Sequence, residues 1–303
     1  MKKSTISKLV LVTGIIIGAM AFAGTAAAEG PVHWDYEGDA GPENWGELSQ
    51  DFALCSTGRE QSPIDISTTT SVNPADIVFN YQPSALNILN NGHTIQANYD
   101  AGSSIEVDGK SYKLLQFHFH ALSEHTIDGN PSPLEMHLVH QSDDGSFAVV
   151  GVMINRGGGE NAAFTPVGNN MPAQETEATT ISGVVVNVND LLPAERTYYR
   201  YNGSFTTPPC TEGVKWFVLS TPIEISDSQA STFEQIYNDN YRPVQSFGAR
   251  SFLISTEIGS QAEIGPETLP VTGEVLFPME SVLMGLGIVA VGAGLYLKYF
   301  NIV

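Results

Sequence analysis

Positive charge is scarce in this chain of 303 residues: 13 Lys and Arg stand against 33 Asp and Glu, a formal charge of −20. So acidic a surface repels phosphate backbones, which argues against nucleic acid as a partner. Cysteine is scarcer still, with only Cys55 and Cys210. Two cysteines cannot build a cysteine-based structural zinc site. The sequence also lacks His-Glu-x-x-His, the signature of one large class of zinc hydrolases. Charged residues make up only 15%, low for a helical cytosolic protein. Between about residue 30 and about residue 256 there is neither an internal repeat nor a low-complexity linker. The chain does have 42% hydrophobic residues, enough for a core and against wholesale disorder. Its 29 Gly and 17 Pro signal many turns.

The two ends read as addresses rather than fold. Lys2, Lys3 and Lys8 precede a mostly apolar stretch over residues 9–22, and Ala26-Ala27-Ala28 supplies small residues for cleavage before Glu29. Residues 1–28 are therefore expected to be a secretory signal, the alternative being an uncleaved anchor. At the far end, residues 281–297 run 17 positions without a charge. At ~1.5 Å per residue this is ~26 Å, near the lower limit for a bilayer helix. Lys298 follows, placing that end inside and the globular part outside. Upstream, Leu269-Pro270-Val271-Thr272-Gly273 resembles the sorting signal by which sortases attach proteins to cell walls, although the basic tail is reduced to Lys298. The expected organisation is a signal over 1–28, one domain over 29–258, a polar linker over 259–274 that carries the sorting-like motif, and an anchor segment over 275–303. Such a protein is exported and held on the cell surface by membrane or cell wall, with a sortase as a further partner. In an oxidising compartment the two cysteines are expected to pair, closing a loop of about 155 residues; two buried free thiols are the alternative.

Within the domain, short apolar or alternating runs recur at 84–89, 104–107, 113–120, 134–140, 147–154, 183–188 and 215–222, each bounded by Gly, Asn, Asp or Pro. This reads as many strands. The clearest helical segment is 228–237, with Ser226 or Asp227 as its cap. The expected fold is mostly β (α+β), a single domain around a large, mainly antiparallel twisted sheet with a few short helices.

Chemistry gathers on two of these strands. In Gln116-Phe117-His118-Phe119-His120 the period of two puts His118 and His120 on one face and Phe117 and Phe119 on the other, toward a core. In Glu135-Met136-His137-Leu138-Val139-His140 the same period groups Glu135, His137 and Val139, and turns His140 away. A His-x-His alone also fits two polar positions on a solvated face. With His137 added, three imidazoles make the donor set of a catalytic metal with an open fourth position. Glu135 can accept the second ring N–H of His137, and Gln116 that of His118, fixing both tautomers.

At this point the chain resembles the α-class carbonic anhydrases of bacterial type. The likeness runs from about Val32 to about Phe252. It is carried by Val32-His33-Trp34, Gln61-Ser62-Pro63-Ile64-Asp65-Ile66, Asn90-Asn91-Gly92-His93, Gln116 through His120, and Ser123-Glu124-His125-Thr126. It continues through Glu135 to His140, Gly203-Ser204-Phe205-Thr206-Thr207-Pro208-Pro209, and Lys215-Trp216. Carbonic anhydrase is itself the standard example of zinc held by three histidines. The resemblance implies reversible hydration of carbon dioxide to bicarbonate and a proton, by attack of a zinc-bound hydroxide, with Zn2+ on His118, His120 and His137. It further implies that Thr206 orients that hydroxide and hands its own proton to Glu124, and that Thr207 positions bicarbonate. Val139, Val149, Phe205 and Trp216 would form the apolar pocket for carbon dioxide; Phe205 stands where the family commonly has Leu. His93 would shuttle protons along a water path flanked by Tyr36, Asn91 and Gln96, using an ordinary imidazole pKa near ~6.5. The Cys55–Cys210 bridge also matches secreted bacterial members. His33, His125 and His140 are left as structural. The rival readings are a binding module that kept the fold and lost catalysis, which would be expected to lack a ligand histidine, and an unrelated zinc hydrolase, which would need a general-base carboxylate beside the metal.

Overall fold

The computed structural model describes residues 32–67 and 76–252. The expected signal, linker, sorting-like motif and anchor segment lie outside these residues. Among the described residues no helix is long and apolar enough to cross a membrane.

The described residues hold fourteen strands: β1 (Asp65–Ile66), β2 (Val78–Asn80), β3 (Ser84–Asn90), β4 (Ile95–Asn98), β5 (Ser104–Val107), β6 (Lys110–His120) and β7 (Thr126–Ile127). After these come β8 (Asn130–Pro131), β9 (Leu134–Gln141), β10 (Phe147–Arg156), β11 (Thr176–Val186), β12 (Tyr198–Ser204), β13 (Glu212–Leu219) and β14 (Ile223–Ile225). Eleven of them form one sheet with the spine β11-β3-β4-β6-β9-β10-β13-β12; β5 extends from β6, β2 from β5, and β14 from β10. Most pairs are antiparallel, but β10 runs parallel to β13 and to β14, so the sheet is mixed. The remaining three strands form a small sheet β1-β7-β8.

Every run expected to be a strand falls on one; 104–107 coincides with β5 and the others have shifted ends. The run at 183–188 is only the end of β11, which begins at Thr176 and stops at Val186. Its Thr-rich first half is exposed, so no apolar alternation marked it. The run at 215–222 closes at Leu219, ahead of Pro222. The strands outside these runs are mostly of two to four residues (β1, β2, β4, β7, β8 and β14); the one long strand to escape the pattern is β12, where three tyrosines and Arg200 lie on a strand buried on both faces. The helix spans Asp227–Glu234, and Ser226 caps it in a reciprocal pair with Gln229.

Both faces of the sheet centre are buried. On one side Phe117, Phe119, Leu138, Val150 and Phe217 join the larger apolar core, closed over by Phe233 of the helix. On the other, Val139, Val149, Phe205, Trp216 and Tyr201 form a smaller cluster. Register aligns that second face. Gln116 lies opposite Val139, Val139 opposite Val149, Val149 opposite Trp216 and Trp216 opposite Tyr201, one row across five strands. The next row sets His118 opposite His137 and His137 opposite Gly151. At Gly151 a Cβ would stand 3.0 Å from Glu135 Oε1, so any larger residue would crowd that carboxylate.

Candidate metal centre and active site

Each of the three histidines has one ring nitrogen facing an oxygen. His118 Nδ1 lies 2.9 Å from Gln116 Oε1, and His120 Nδ1 lies 2.6 Å from the carbonyl oxygen of Asn240. His137 Nε2 is 2.9 Å from Glu135 Oε1. The nitrogens left over converge: one ligand atom from each of His118, His120 and His137 lies within 4.8 Å of the others, and all three residues are buried. His120 Nε2 is buried without a partner, as a ligand atom awaiting a metal is. Burial pushes His118 well below the ordinary imidazole range, and the neighbouring His120 and His137 add to this. Burial also takes His120 down to about 4, against the opposing pull of the Asn240 carbonyl. At neutral pH their lone pairs are therefore free.

Glu135 is the anion behind this group. Burial alone would raise its pKa, but His125 and His137 outweigh that and hold it well below the usual carboxylate range. His125 Nδ1 lies 2.8 Å from Glu135 Oε1, and its Nε2 lies 2.6 Å from the Tyr201 hydroxyl. With both ring nitrogens engaged, the nearby cluster of His125, Glu135 and His137 is a support rather than a second ligand set.

Glu124 comes next. Its Oε1 accepts the backbone N–H of Arg242 at 2.8 Å, and its Oε2 lies 3.6 Å from His120 Nε2 and 3.8 Å from His137 Nδ1. Burial raises its pKa to about 7, while His137, the Thr206 side chain and the Arg242 N–H pull it down. Thr206 and Thr207 share one pocket with His118, His137, Val139, Val149, Phe205 and Trp216. Phe205 meets Phe147 edge-on at 4.9 Å, and Trp216 Nε1 donates to the Ser204 carbonyl at 2.9 Å. A larger surface groove, about 540 Å³, opens beside residues 55–61 and 245–250 and touches none of this chemistry.

Below the pocket, Cys55 and Cys210 are joined in a disulfide. The buried Arg242 ties that region to the site. Its guanidinium donates to the Cys55 carbonyl, the Ser62 carbonyl and Gln61 Oε1, each at 2.8 Å. Gln61 Nε2 in turn donates to the Cys210 carbonyl at 3.1 Å.

His93 is half-buried and lies flat against Trp34, the ring centroids 3.7 Å apart and the planes 7° from parallel. Burial lowers its pKa to about 4, with Asp35 pulling the other way. This corrects the expectation of an ordinary imidazole pKa: while stacked, His93 stays neutral until well below neutrality. Asn91 serves the turn, its Oδ1 accepting the N–H groups of His93 and Thr94 at 2.9 Å each. Its Nδ2 reaches Gln96 Oε1 at 3.4 Å. The Tyr36 hydroxyl is buried without a partner, and burial followed by the charge of Glu124 raises its pKa well above the usual phenol value.

The comparisons with known proteins now settle the family. A family model described as eukaryotic-type carbonic anhydrase matches residues 40–256. The chain belongs to the α-carbonic anhydrase family. A carbonic anhydrase of Nostoc sp. is 43% identical over 228 residues, covering 72% of this chain and 84% of that protein. One of Neisseria gonorrhoeae is 41% identical over 240 residues, covering 78% and 94%. The α-carbonic anhydrase of Thermovibrio ammonificans, solved with the inhibitor sulfanilamide, superposes with a TM-score of 0.71 at 41% identity and covers 75% of this chain and all of that one. The activity is that of a carbonic anhydrase, the hydration of carbon dioxide. As an α-carbonic anhydrase the chain belongs among zinc enzymes, and His118, His120 and His137 are the group able to hold the metal.

Reading residue types along strands did not reveal Asn240 or Arg242, and it gave Trp34 no role against His93. The first two act partly through backbone groups, which leave no mark in residue type. His125 reads as structural and Tyr201 is not singled out in the sequence, so the contacts of His125 with Glu135 and with Tyr201 go unread there.

Proposed function

We propose that this protein carries out zinc-dependent, reversible hydration of carbon dioxide on the outer cell surface. The observation that carries the zinc reading is the convergence of three buried imidazole nitrogens, each with its opposite nitrogen held by Gln116, Asn240 or Glu135. The donor set suits zinc, which takes three histidines and leaves a fourth position for substrate chemistry. Bound there, zinc would supply a water acidic enough to act as a nucleophile near neutral pH.

The chain's own residues do the rest. Val139, Val149, Phe205 and Trp216 bind carbon dioxide by excluding water from a pocket wall that abuts His118 and His137. Thr206 orients the nucleophile through its hydroxyl, and Glu124, fixed by the Arg242 N–H, accepts the Thr206 proton. Thr207 positions bicarbonate at the pocket rim. His93 takes the proton released in each cycle and passes it to solvent. Its lowered pKa in the stacked pose means that the ring relays near neutrality only after swinging off Trp34 into water, where its affinity for a proton returns.

The surface location rests on sequence. It is supported by the signal-like residues 1–28, the sorting-like motif at residues 269–273 and the uncharged stretch 281–297. The closed Cys55–Cys210 bond adds the mark of an oxidising compartment. The C-terminal segment holds the enzyme in the membrane, or a sortase cuts after Thr272 and links it to the wall. Stopped-flow hydration of carbon dioxide by residues 29–258, with and without chelator and with metal content measured, tests the zinc reading; activity untouched by complete metal removal overturns it. Deleting residues 275–303 should release active enzyme into the medium, and unchanged retention would sink the surface anchor.

A further inference from the structure

His93 stands in the turn between β3 and β4, and its backbone is bonded on both sides. Its N–H donates to Asn91 Oδ1 at 2.9 Å, and its carbonyl accepts from Asn240 Nδ2 at 3.0 Å. Nothing comparable holds the ring: it lies on Trp34, and its Nδ1 is buried without a partner among the described residues. The ring is thus free to leave its stack while the backbone stays. The turn is tied down at Asn90 as well. This buried side chain donates from Nδ2 to the Pro172 carbonyl at 3.1 Å, and its Oδ1 accepts the Gly92 N–H at 3.0 Å. The Tyr237 hydroxyl donates to that same Oδ1 at 2.5 Å, filling its second lone pair. Tyr237 is half-buried beside Phe233, just past the end of the helix. Burial pushes its hydroxyl up to about 12 against the pull of the Asn90 bond, with Glu175 and Asp35 adding to the rise, so it remains a donor at neutral pH. Tyr237 and Asn240 therefore grip the turn from one stretch of chain, at two different points.

We propose that Tyr237 is a positioning residue for proton transfer: through Asn90 Oδ1 it holds residues 90–94 still, so that the His93 ring swings off Trp34 about a fixed point. This role rests on the reading of His93 as the proton shuttle. Asn91, which receives the His93 N–H and reaches Gln96, belongs to the same turn, so the flank of the water path is fixed together with the pivot of the ring. Transfer of a proton depends on where donor and acceptor stand, and a loose pivot misplaces one of them. Attack on carbon dioxide takes place in the pocket, whose wall includes neither Asn90 nor Tyr237. Loss of the hydroxyl slows the first step and spares the second.

In the zinc-loaded full chain, Tyr237→Phe should lower kcat about fivefold, inside the ~10²-fold that a 1 Å misplacement can cost, and leave kcat/KM unchanged. Imidazole buffer should restore the lost rate, because an external carrier does not need the turn. Placed on a His93→Ala background, Tyr237→Phe should cost nothing further. A tyrosine that served only the fold would lower both constants together, and buffer would restore neither. Unchanged kcat in Tyr237→Phe overturns the proposal. So does an equal fall in both constants, or a fall on the His93→Ala background as large as that in wild type. If Tyr237→Phe fails to fold, amide hydrogen exchange on the wild type decides: Gly92 N–H should be protected as well as β3 and β4 beside it, and exchange at the rate of an open loop overturns the pinned turn. His93→Ala with wild-type kcat refutes the shuttle reading, and the role of Tyr237 with it. A slowed His93→Ala beside an unaffected Tyr237→Phe refutes the role of Tyr237 alone.

Discussion

The front and the back of the metal centre are built on different principles. In front, His118, His120 and His137 come from two adjacent strands, and strand period and register alone bring them together. Behind them, the groups that fix the rings come from wherever the chain passes: Gln116 on the same strand, Asn240 in a loop 120 residues beyond His120, and Glu135 backed by His125. The front is a geometric consequence of β structure. The back needs the whole fold. Ligand chemistry can thus be encoded within a few dozen residues, whereas ligand orientation is a property of tertiary structure.

That contrast can be broken at its strongest point by His137→Ala. Nearly all zinc and nearly all hydration activity should go, while His140→Ala, on the opposite face and hydrogen-bonded to Tyr81, should keep its metal. Metal analysis of both proteins checks this, and the reverse result would mean that front and back had been assigned to the wrong faces.

Next in size is His93→Ala, which belongs to neither front nor back. It should lower kcat by on the order of 10²-fold, as loss of a proton-transfer group does. kcat/KM should change little, and added imidazole buffer should restore much of the rate. An equal fall in kcat/KM would place His93 in the pocket instead. An NMR titration should find its midpoint near 4 while the ring lies on Trp34.

Asn240→Ala probes the back directly. It keeps the carbonyl that holds His120 but loses side-chain bonds from Ala121 N–H and to the Phe119 and His93 carbonyls. Zinc affinity should fall about tenfold, far less than for a lost ligand. Chemical denaturation should show a loss of roughly 1–3 kcal/mol from the unpaired buried groups.

The last effect leaves the metal centre alone and concerns only stability in acid. Burial lowers the pKa of His140 to about 3. Between that value and the ~6.5 of an unfolded histidine, the unfolded chain binds the proton and the folded chain does not. Stability from this group is therefore complete above about pH 6.5 and declines as pH falls toward 3, by up to about 1.4 kcal/mol per unit. Replacing His140 by Gln should flatten that part of the profile in thermal melts.

The legibility of the site in the sequence follows the same division. Period-two patterning exposed β6, β9 and β10, because each alternates a core face with a chemically distinct one. It missed β12, whose tyrosines and Arg200 look polar although the strand is buried on both sides. It also misjudged His93, since nothing in Asn90-Asn91-Gly92-His93 announces that Trp34, far back in the chain, will cover the ring. Arg242 could not be read for a deeper reason. Its backbone N–H serves Glu124, and any residue but proline offers that group.

The pocket row of Gln116, Val139, Val149, Trp216 and Tyr201 has a consequence for biosynthesis. Five strands must find their register before the row exists, and the parallel docking of β13 on β10 closes a long loop, the slow kind of contact to form. A hairpin of β6 and β9 alone could offer three histidines to a passing metal, but without orientation from behind and without a pocket beside them. Competence thus arrives in one late step. Under the export proposed above, a chain crossing the membrane unfolded would travel inert and gain its pocket and metal only on the far side.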